Sequence, residues 1–78
     1  MSHVTVYTTN SCPYCVMMKN FLEEKNIPFK EVNVEKDPKA MEKVVETTGQ
    51  MGVPQTEVNG TWIVGFDPKR VMAVINRH

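Results

Sequence analysis

The chain has 78 residues, with nine basic and nine acidic side chains and no formal net charge, so it has room for one modest hydrophobic core. Balanced charge gives no footprint for nucleic acid or an anionic membrane, and no apolar run is long enough to span a bilayer. We expect one domain, residues 1–78, that binds neither. The N-terminus lacks a basic segment followed by a long apolar stretch, so no signal peptide is expected, and the reducing cytoplasm is the expected compartment.

The N-terminal part of the chain predicts a strand, a helix and a second strand. Residues 4–8 are rich in β-branched and aromatic side chains, which is typical of a strand. Pro13 suits the first position of a helix, because it needs no backbone N–H partner there, and this makes Cys12 the N-cap. The helix is expected to reach about Lys25, and residues 29–34 then predict a second strand. A unit of this length allows a right-handed crossover between two parallel strands.

The rest of the chain predicts a helix, a hairpin and a last helix. Asp37-Pro38 begins a helix with apolar side chains at helical spacing, and Gly49 ends it. The dipeptide Asn59-Gly60 between two apolar runs indicates a type I′ hairpin turn. Asp67-Pro68 begins the final helix. The order β-α-β-α-β-β-α predicts an α/β fold, with a four-stranded mixed sheet flanked by three helices.

The two cysteines, Cys12 and Cys15, are separated by two residues. A bridge between them closes too small a loop to remove much entropy from the unfolded chain, so a chemical role is favoured over a structural one. Free N–H groups and the helix dipole favour the thiolate of Cys12, which is the nucleophilic form. Cys15 is expected one turn deeper on the same side, where it can attack a mixed disulfide at Cys12. Lys19, two turns into the helix, is a candidate source of further positive charge.

Metal binding is the main alternative for this cysteine pair. A CxxC pair can be half of a zinc site, but tetrahedral zinc needs about four ligands. The two histidines, His3 and His78, lie at opposite ends of the chain and lack ligand spacing. Iron–sulfur assembly on a dimer, with one cysteine from each subunit, is a related alternative. We expect no resident metal and no tightly bound cofactor.

The order of these features resembles that of the glutaredoxins. A strand, then Cys-Pro-Tyr-Cys opening a helix, then Val-Pro before a hairpin and a glycine-bearing turn into Asp together cover nearly the whole chain. The resemblance implies the thioredoxin fold, with Val53 and a cis Pro54 facing the cysteines. It implies that Pro13 and Tyr14 lie beside the nucleophile. It also implies that the Val53 backbone pairs with glutathione or a substrate peptide, as an added strand would.

The same resemblance assigns Gly65, Phe66 and Asp67 to the segment that holds the γ-glutamyl end of glutathione. Asp67 is also a predicted N-cap, where free N–H groups can bind a carboxylate while its own carboxylate accepts from an ammonium. Two positions differ from many glutaredoxins. Thr9 stands where those proteins have a lysine, and Val64 stands where they have the first glycine of a Gly-Gly pair.

The segment Gly65-Phe66-Asp67-Pro68 resembles instead the Gly-Phe-Arg-Pro of redoxins that serve ribonucleotide reductase and are reduced by thioredoxin reductase. Those redoxins have a tryptophan three residues before the phenylalanine. Trp62 is four residues before Phe66, so along a strand we expect it to point to the face opposite the one that the tryptophan of those redoxins occupies. A packing role is favoured for Trp62.

The expected function is that of a thiol–disulfide oxidoreductase, an enzyme that carries electrons to protein or glutathione mixed disulfides. Cys12 is the expected nucleophile and Cys15 the expected resolving thiol. Expected partners are disulfide-containing proteins and a reductant, either glutathione as co-substrate or a thioredoxin-reductase-type flavoprotein. A further alternative is a binding module that uses the groove beside Val53 and Pro54 without the thiols. We expect a monomer.

Overall fold

The computed structural model describes residues 3–77, whose elements follow the predicted order. They are β1 (Val4–Thr8), α1 (Pro13–Glu24), β2 (Lys30–Asn33), α2 (Pro38–Thr48), β3 (Gln55–Val58), β4 (Thr61–Val64) and α3 (Pro68–Arg77). Strand β2 is one residue shorter at each end than predicted. The reason is its pairing, because within the described residues β2 pairs with β1 alone, and the register runs from Thr5 with Lys30 to Thr8 with Asn33.

The sheet has the strand order β2-β1-β3-β4. Strand β1 pairs in parallel with β2 and antiparallel with β3, and β3 pairs antiparallel with β4. The crossover through α1 supplies the parallel pair, and the Asn59-Gly60 turn supplies the hairpin. Both turn residues have positive φ, 49° for Asn59 and 91° for Gly60, as a type I′ turn requires. The predicted mixed sheet and the predicted hairpin are therefore confirmed.

Local side-chain chemistry explains where the helices begin and end. The Asp37 carboxylate accepts the Ala40 N–H at 3.2 Å and so caps α2. Gly49 ends α2 in the left-handed region, at φ 72°, and its N–H donates to the Val45 carbonyl. Helix α1 is capped by a sulfur, that of Cys12, as predicted.

The two faces of the sheet bury separate apolar clusters. On the face covered by α1 and α3, here called the α1/α3 face, the buried residues are Val4, Val6, Met18, Leu22, Val58, Ile63, Val71 and Val74. On the face covered by α2, the α2 face, they are Tyr7, Val34 and Val44. Successive side chains of β1 alternate between the two clusters, because the side-chain period of a strand is two.

Helix α1 directs only part of its apolar surface inward. Cys15, Met18 and Leu22 are buried, at a spacing that follows one face of the helix. Met17 is 45% exposed, and Val16 is also exposed. None of the helices between residues 3 and 77 combines the length and the apolar character that crossing a membrane requires.

Candidate redox site

The cysteine pair lies where β1 passes into α1, at one end of the sheet. Cys12 has extended backbone (φ −141°, ψ 96°), and its Sγ accepts the Cys15 N–H at 3.1 Å. The two sulfurs are joined as a disulfide in this structure. Cys12 is partly exposed, whereas Cys15 is only 2% exposed. An incoming reactant therefore reaches the sulfur of Cys12 more easily than that of Cys15.

The segment Val53-Pro54 faces Cys12 from across the site. The peptide bond between these two residues is cis, as the resemblance implies. The Val53 carbonyl oxygen lies 3.7 Å from the Cys12 Sγ. Pro54 is fully buried, while Val53 is half-buried, and its side chain packs against the apolar cluster of the α2 face. The backbone of Val53 therefore lies beside the more accessible sulfur.

The turn after β4 brings Gly65 and Phe66 to the same end of the sheet. The Gly65 N–H donates to the Pro54 carbonyl at 2.8 Å. Gly65 has φ 84°, a conformation that side-chain-bearing residues rarely adopt. The ring of Phe66 lies 6.2 Å from the ring of Tyr14, which is 59% exposed. The structure thus places Tyr14, Pro54 and the turn at residues 65–66 around Cys12.

Asp67 caps α3, as its sequence position predicts. Its Oδ1 accepts the Arg70 N–H at 3.2 Å, and its backbone carbonyl accepts the Val71 N–H at 3.0 Å. One carboxylate oxygen is therefore engaged by the helix. A contact between the other oxygen and a bound glutathione stays a prediction.

Lys19 is held by an acidic partner on β2. Its Nζ lies 3.0 Å from the Glu31 Oε2, and the Thr8 hydroxyl donates to the same oxygen at 2.9 Å. These hydrogen bonds from Lys19 and Thr8 lower the pKa of the Glu31 carboxyl. The acidic partner offsets the positive charge that Lys19 brings to α1, and the pair ties the helix to the edge of the sheet.

Trp62 packs on the α2 face, where its ring stacks on Tyr7 with centroids 5.1 Å apart. Phe66 packs against the cluster of the other face, so the two aromatic side chains lie on opposite faces of the sheet. Burial raises the pKa of the Tyr7 hydroxyl, and the nearby Glu57 carboxylate acts in the same direction. Trp62 is therefore a packing residue here.

Gln55, beside the site, makes polar contacts that the sequence pattern does not predict. It is fully buried and comes directly after Pro54, and its Nε2 donates to the carbonyls of Gln50 at 3.0 Å and Gly52 at 2.9 Å. Read as sequence, Gln55 only begins a strand. The sequence signal that could have found it is the alternation of side chains along β3. This alternation places Gln55 on the same sheet face as its register partner Tyr7, and therefore inside the protein.

Two apolar side chains close in sequence to the site residues are exposed. Met51, which precedes Val53 by two residues, is 68% exposed, and Val64, which precedes Gly65, is 49% exposed. Met51 stands between Gln50 and Gly52 and belongs to no apolar pattern, whereas Val64 ends the apolar run of β4.

Metal-ligating side chains do not gather at this site in the part of the chain that the structure describes. Across residues 3–77, no group of three or more His, Cys, Asp or Glu side chains could hold a metal ion. Within this range, no third His, Cys, Asp or Glu side chain joins the two cysteines to form a zinc site in a single chain. His78, one of the two candidate histidine ligands, lies outside the described residues.

Comparison with known proteins agrees with this arrangement. Residues 4–63 match the glutaredoxin family model. The chain is 36% identical to a glutaredoxin-like 8.6 kDa protein in the rubredoxin operon of Clostridium pasteurianum, over 95% of this chain and 99% of that protein. It is 37% identical to the glutaredoxin-like protein NrdH of Lactococcus lactis subsp. cremoris, over 87% of this chain and 93% of that protein.

A solved structure extends the similarity to three dimensions. NrdH-redoxin from Escherichia coli, a glutaredoxin-like protein with a thioredoxin-like activity profile, superposes with a TM-score of 0.79 at 25% identity, over 97% of this chain and 95% of that one. The predicted thioredoxin fold is confirmed. With a matching family model and this cysteine pair, the chain belongs to the glutaredoxin family of thiol–disulfide redox proteins.

Proposed function

We propose that the protein reduces protein disulfides or glutathione mixed disulfides, with Cys12 as nucleophile and Cys15 as resolving thiol. The observation that carries this proposal is the position of the pair at the start of α1. Cys12 is the partly exposed N-cap, and Cys15 lies buried one turn behind it, close enough to pair. Membership of the glutaredoxin family supports the reaction class.

The reaction proceeds in two exchanges. The Cys12 thiolate attacks one sulfur of the substrate disulfide, forms a mixed disulfide and expels the other sulfur as a thiolate, which takes up a proton. The Cys15 thiolate then attacks the Cys12 sulfur and releases the second substrate thiol. Two electrons pass to the substrate, and Cys12 and Cys15 end as a disulfide. The Cys15 N–H, which points at the Cys12 sulfur, stabilises negative charge there whenever that sulfur is a thiolate.

Substrate binding is proposed for the surface around Cys12. An extended peptide or the glutathione backbone pairs with Val53, whose carbonyl lies 3.7 Å from the sulfur. Pro13 and Tyr14 lie beside Cys12 in the first turn of α1. The turn at residues 65–67 is joined to Pro54 by the Gly65 hydrogen bond, and its Phe66 ring lies 6.2 Å from the Tyr14 ring. Disulfide-containing proteins are the proposed substrates.

A second candidate function concerns the reductant. Similarity to NrdH of L. lactis and to NrdH-redoxin of E. coli favours a redoxin that a thioredoxin-reductase-type flavoprotein reduces and that donates electrons to ribonucleotide reductase or a similar enzyme. Thr9 and Val64, which depart from many glutaredoxins, point the same way. Glutathione stays the other candidate reductant. The reducing cytoplasm, where a dithiol pair persists, is the compartment we propose for either cycle.

Two isosteric variants test the division of roles between the cysteines. Cys12→Ser is expected to abolish reduction of both protein disulfides and glutathione mixed disulfides, because the attacking sulfur is gone. Cys15→Ser keeps the nucleophile, so only glutathione-dependent turnover is expected to survive. Protein-disulfide turnover that persists in Cys12→Ser would contradict the assignment.

The reductant is tested on the oxidised wild-type protein. Its thiols are counted with a chromogenic thiol reagent after incubation either with glutathione, glutathione reductase and NADPH, or with thioredoxin reductase and NADPH. Recovery with the first mixture supports a glutathione-dependent glutaredoxin. Recovery with the second alone supports the NrdH-like function, and recovery with neither contradicts both candidates.

A further inference from the structure

We propose that Gln55 is a positioning residue of the redox site, which holds residues 50–53 so that the Val53 backbone stays beside Cys12. The inference rests on the proposed function, because it concerns how substrate binds at the same site. It starts from a buried side-chain amide next to Pro54 whose N–H groups donate to the loop at residues 50–52.

The geometry of this amide is specific. Gln55 is fully buried as the first residue of β3, and its side chain turns back toward the loop that precedes Val53-Pro54. The Nε2 group donates to the Gln50 carbonyl at 3.0 Å and to the Gly52 carbonyl at 2.9 Å. A primary amide has two N–H donors, and each carbonyl takes one of them.

The loop has few other polar anchors. Residues 50–53 make no backbone–backbone hydrogen bond with any residue between positions 3 and 77. At its start, the Gln50 N–H donates to the Thr48 hydroxyl at 3.2 Å, and that hydroxyl also lies 3.4 Å from the Gln50 carbonyl oxygen. Nearer the site, the Gly52 carbonyl accepts its hydrogen bond from the Gln55 side chain. Val53 follows directly, so the Gln55 side chain fixes the peptide unit that leads into the substrate-facing backbone.

The anchor itself is rigid because its backbone is in the sheet. Gln55 pairs with Tyr7 of β1 on one side and with Val64 of β4 on the other. Its side chain therefore links the loop at residues 50–53, which has no backbone hydrogen bonds of the sheet, to a strand whose position is fixed by neighbours on both sides. Since Pro54 is tied separately to Gly65, the segment around Val53 is held on both sides.

Packing alone does not explain an amide at this position. The Gln55 Oε1 is buried and has no hydrogen-bond partner among the described residues. An unpaired buried acceptor is unfavourable, and an apolar side chain of similar length would avoid it. What the amide adds over such a side chain is the pair of donors to the loop. This comparison also defines the test, because methionine has nearly the same length and volume but no donor.

The test compares Gln55→Met with Thr56→Val as its matched control. Thr56 is the next residue, is equally buried, and has a hydroxyl with no partner among residues 3–77, but its side chain points to the α1/α3 face. Steady-state kinetics with a peptide–glutathione mixed disulfide measure kcat and KM. Alkylation of reduced Cys12 by iodoacetamide measures the reactivity of the thiolate without use of the groove.

We expect Gln55→Met to raise KM for the peptide disulfide about tenfold, because displacement of positioning groups by about 1 Å carries losses of this order or more. The alkylation rate and kcat should stay within about twofold of wild type, since Cys12 and its helix are untouched. Thr56→Val should change none of the three. A lower alkylation rate together with a lower kcat and a higher KM would indicate general disruption of the site and overturn the positioning role. An unchanged KM would also overturn it.

A measurement on the wild-type protein keeps the inference testable if Gln55→Met does not fold. The Gln55 side-chain amide protons should exchange slowly with solvent in NMR spectra, because both are bonded inside the protein. Rapid exchange of these protons overturns the inference. If the wild-type protein turns over no disulfide, the proposed function fails instead, while slow exchange would still support the loop anchor.

Discussion

The two faces of the sheet differ in what holds them together. Among residues 3–77, the α1/α3 face buries an apolar cluster of eight residues, and the α2 face buries one of three. Beside its small cluster, the α2 face has the Tyr7–Trp62 stack and the buried amide of Gln55. Because burial of apolar surface is the main source of stability, most of it is expected on the α1/α3 face. The α2 face combines a smaller core with polar contacts to the loop at the site.

The redox site lies between segments that pack on the two different faces of the sheet. Helix α1 brings the cysteines and is packed on the α1/α3 face through Met18 and Leu22. Val53 packs with the α2 face. The contact between the Cys12 Sγ and the Val53 carbonyl, at 3.7 Å, therefore joins parts of the chain held by different cores. Substitutions on one face should be separable from substitutions on the other in their effects on stability and on substrate binding.

The largest effect is expected from Leu22→Ala on the α1/α3 face. Leu22 is fully buried, so its truncation should lower the free energy of unfolding by about 2–5 kcal/mol, through lost burial and a residual cavity. Urea unfolding followed by circular dichroism measures the change. Met17→Ala, in the same helix at a 45% exposed position, is the control and should stay within about 0.5 kcal/mol of wild type. Similar losses in both variants would mean that this face does not dominate stability.

Matched valine truncations compare the two faces directly. Val71 of the α1/α3 face and Val44 of the α2 face are both fully buried. Each Val→Ala change removes about 1.6 kcal/mol of burial, at about 0.8 kcal/mol per carbon, before any cavity term. The smaller cluster around Val44 should relax more easily, so we expect Val71→Ala to be the more destabilising. A greater loss in Val44→Ala, measured by the same unfolding experiment, would reverse the comparison.

The two aspartate caps separate a stabilising role from a binding role. Asp37→Ala and Asp67→Ala should each cost about 1 kcal/mol of stability, because each removes a side-chain acceptor from a helix N-terminus. If the Asp67 carboxylate also accepts from the glutathione ammonium, only Asp67→Ala should raise KM for a glutathione mixed disulfide. An equal KM in the two variants would make Asp67 a cap alone.

The smallest effect is expected from the ion pair at the edge of the sheet. Lys19 and Thr8 lower the pKa of Glu31, so the carboxylate contributes stability above its unfolded-state pKa of about 4.3. This contribution is lost as the pH falls through the lower folded-state value. Because the pair is partly exposed, its size should be at most about 1 kcal/mol. Glu31→Gln should be less stable than wild type at neutral pH and converge with it in acid, and a constant difference across pH would contradict this assignment.

Local sequence chemistry predicts much of the fold and the position of the nucleophile. Pro13 and Asp37-Pro38 predict where helices begin, and Asn59-Gly60 predicts the hairpin, because caps and turns depend on residues a few positions apart. The cis peptide before Pro54 came from the family resemblance, since residue statistics alone favour trans.

Contacts between distant residues could not be predicted in the same way. The Lys19–Glu31 pair forms only after β2 docks beside β1 and α1 packs over them. In α1, an apolar pattern that includes both Met17 and Met18 does not say which of them faces the sheet, because adjacent positions are 100° apart on a helix of about 3.6 residues per turn. Packing buries Met18 and leaves Met17 exposed.

The sequence by itself determined the order of the elements, the capping cysteine and the redox class of the protein. These properties depend on short-range energetics and on a compact motif. The family resemblance implied that Val53 faces the cysteines, but only the tertiary structure gave the 3.7 Å contact between the Val53 carbonyl and the Cys12 Sγ and the hydrogen bonds from Gln55 to the loop before it. The physical reason is that both contacts depend on strand order and register, which many residues set together by burying one core on each face of the sheet.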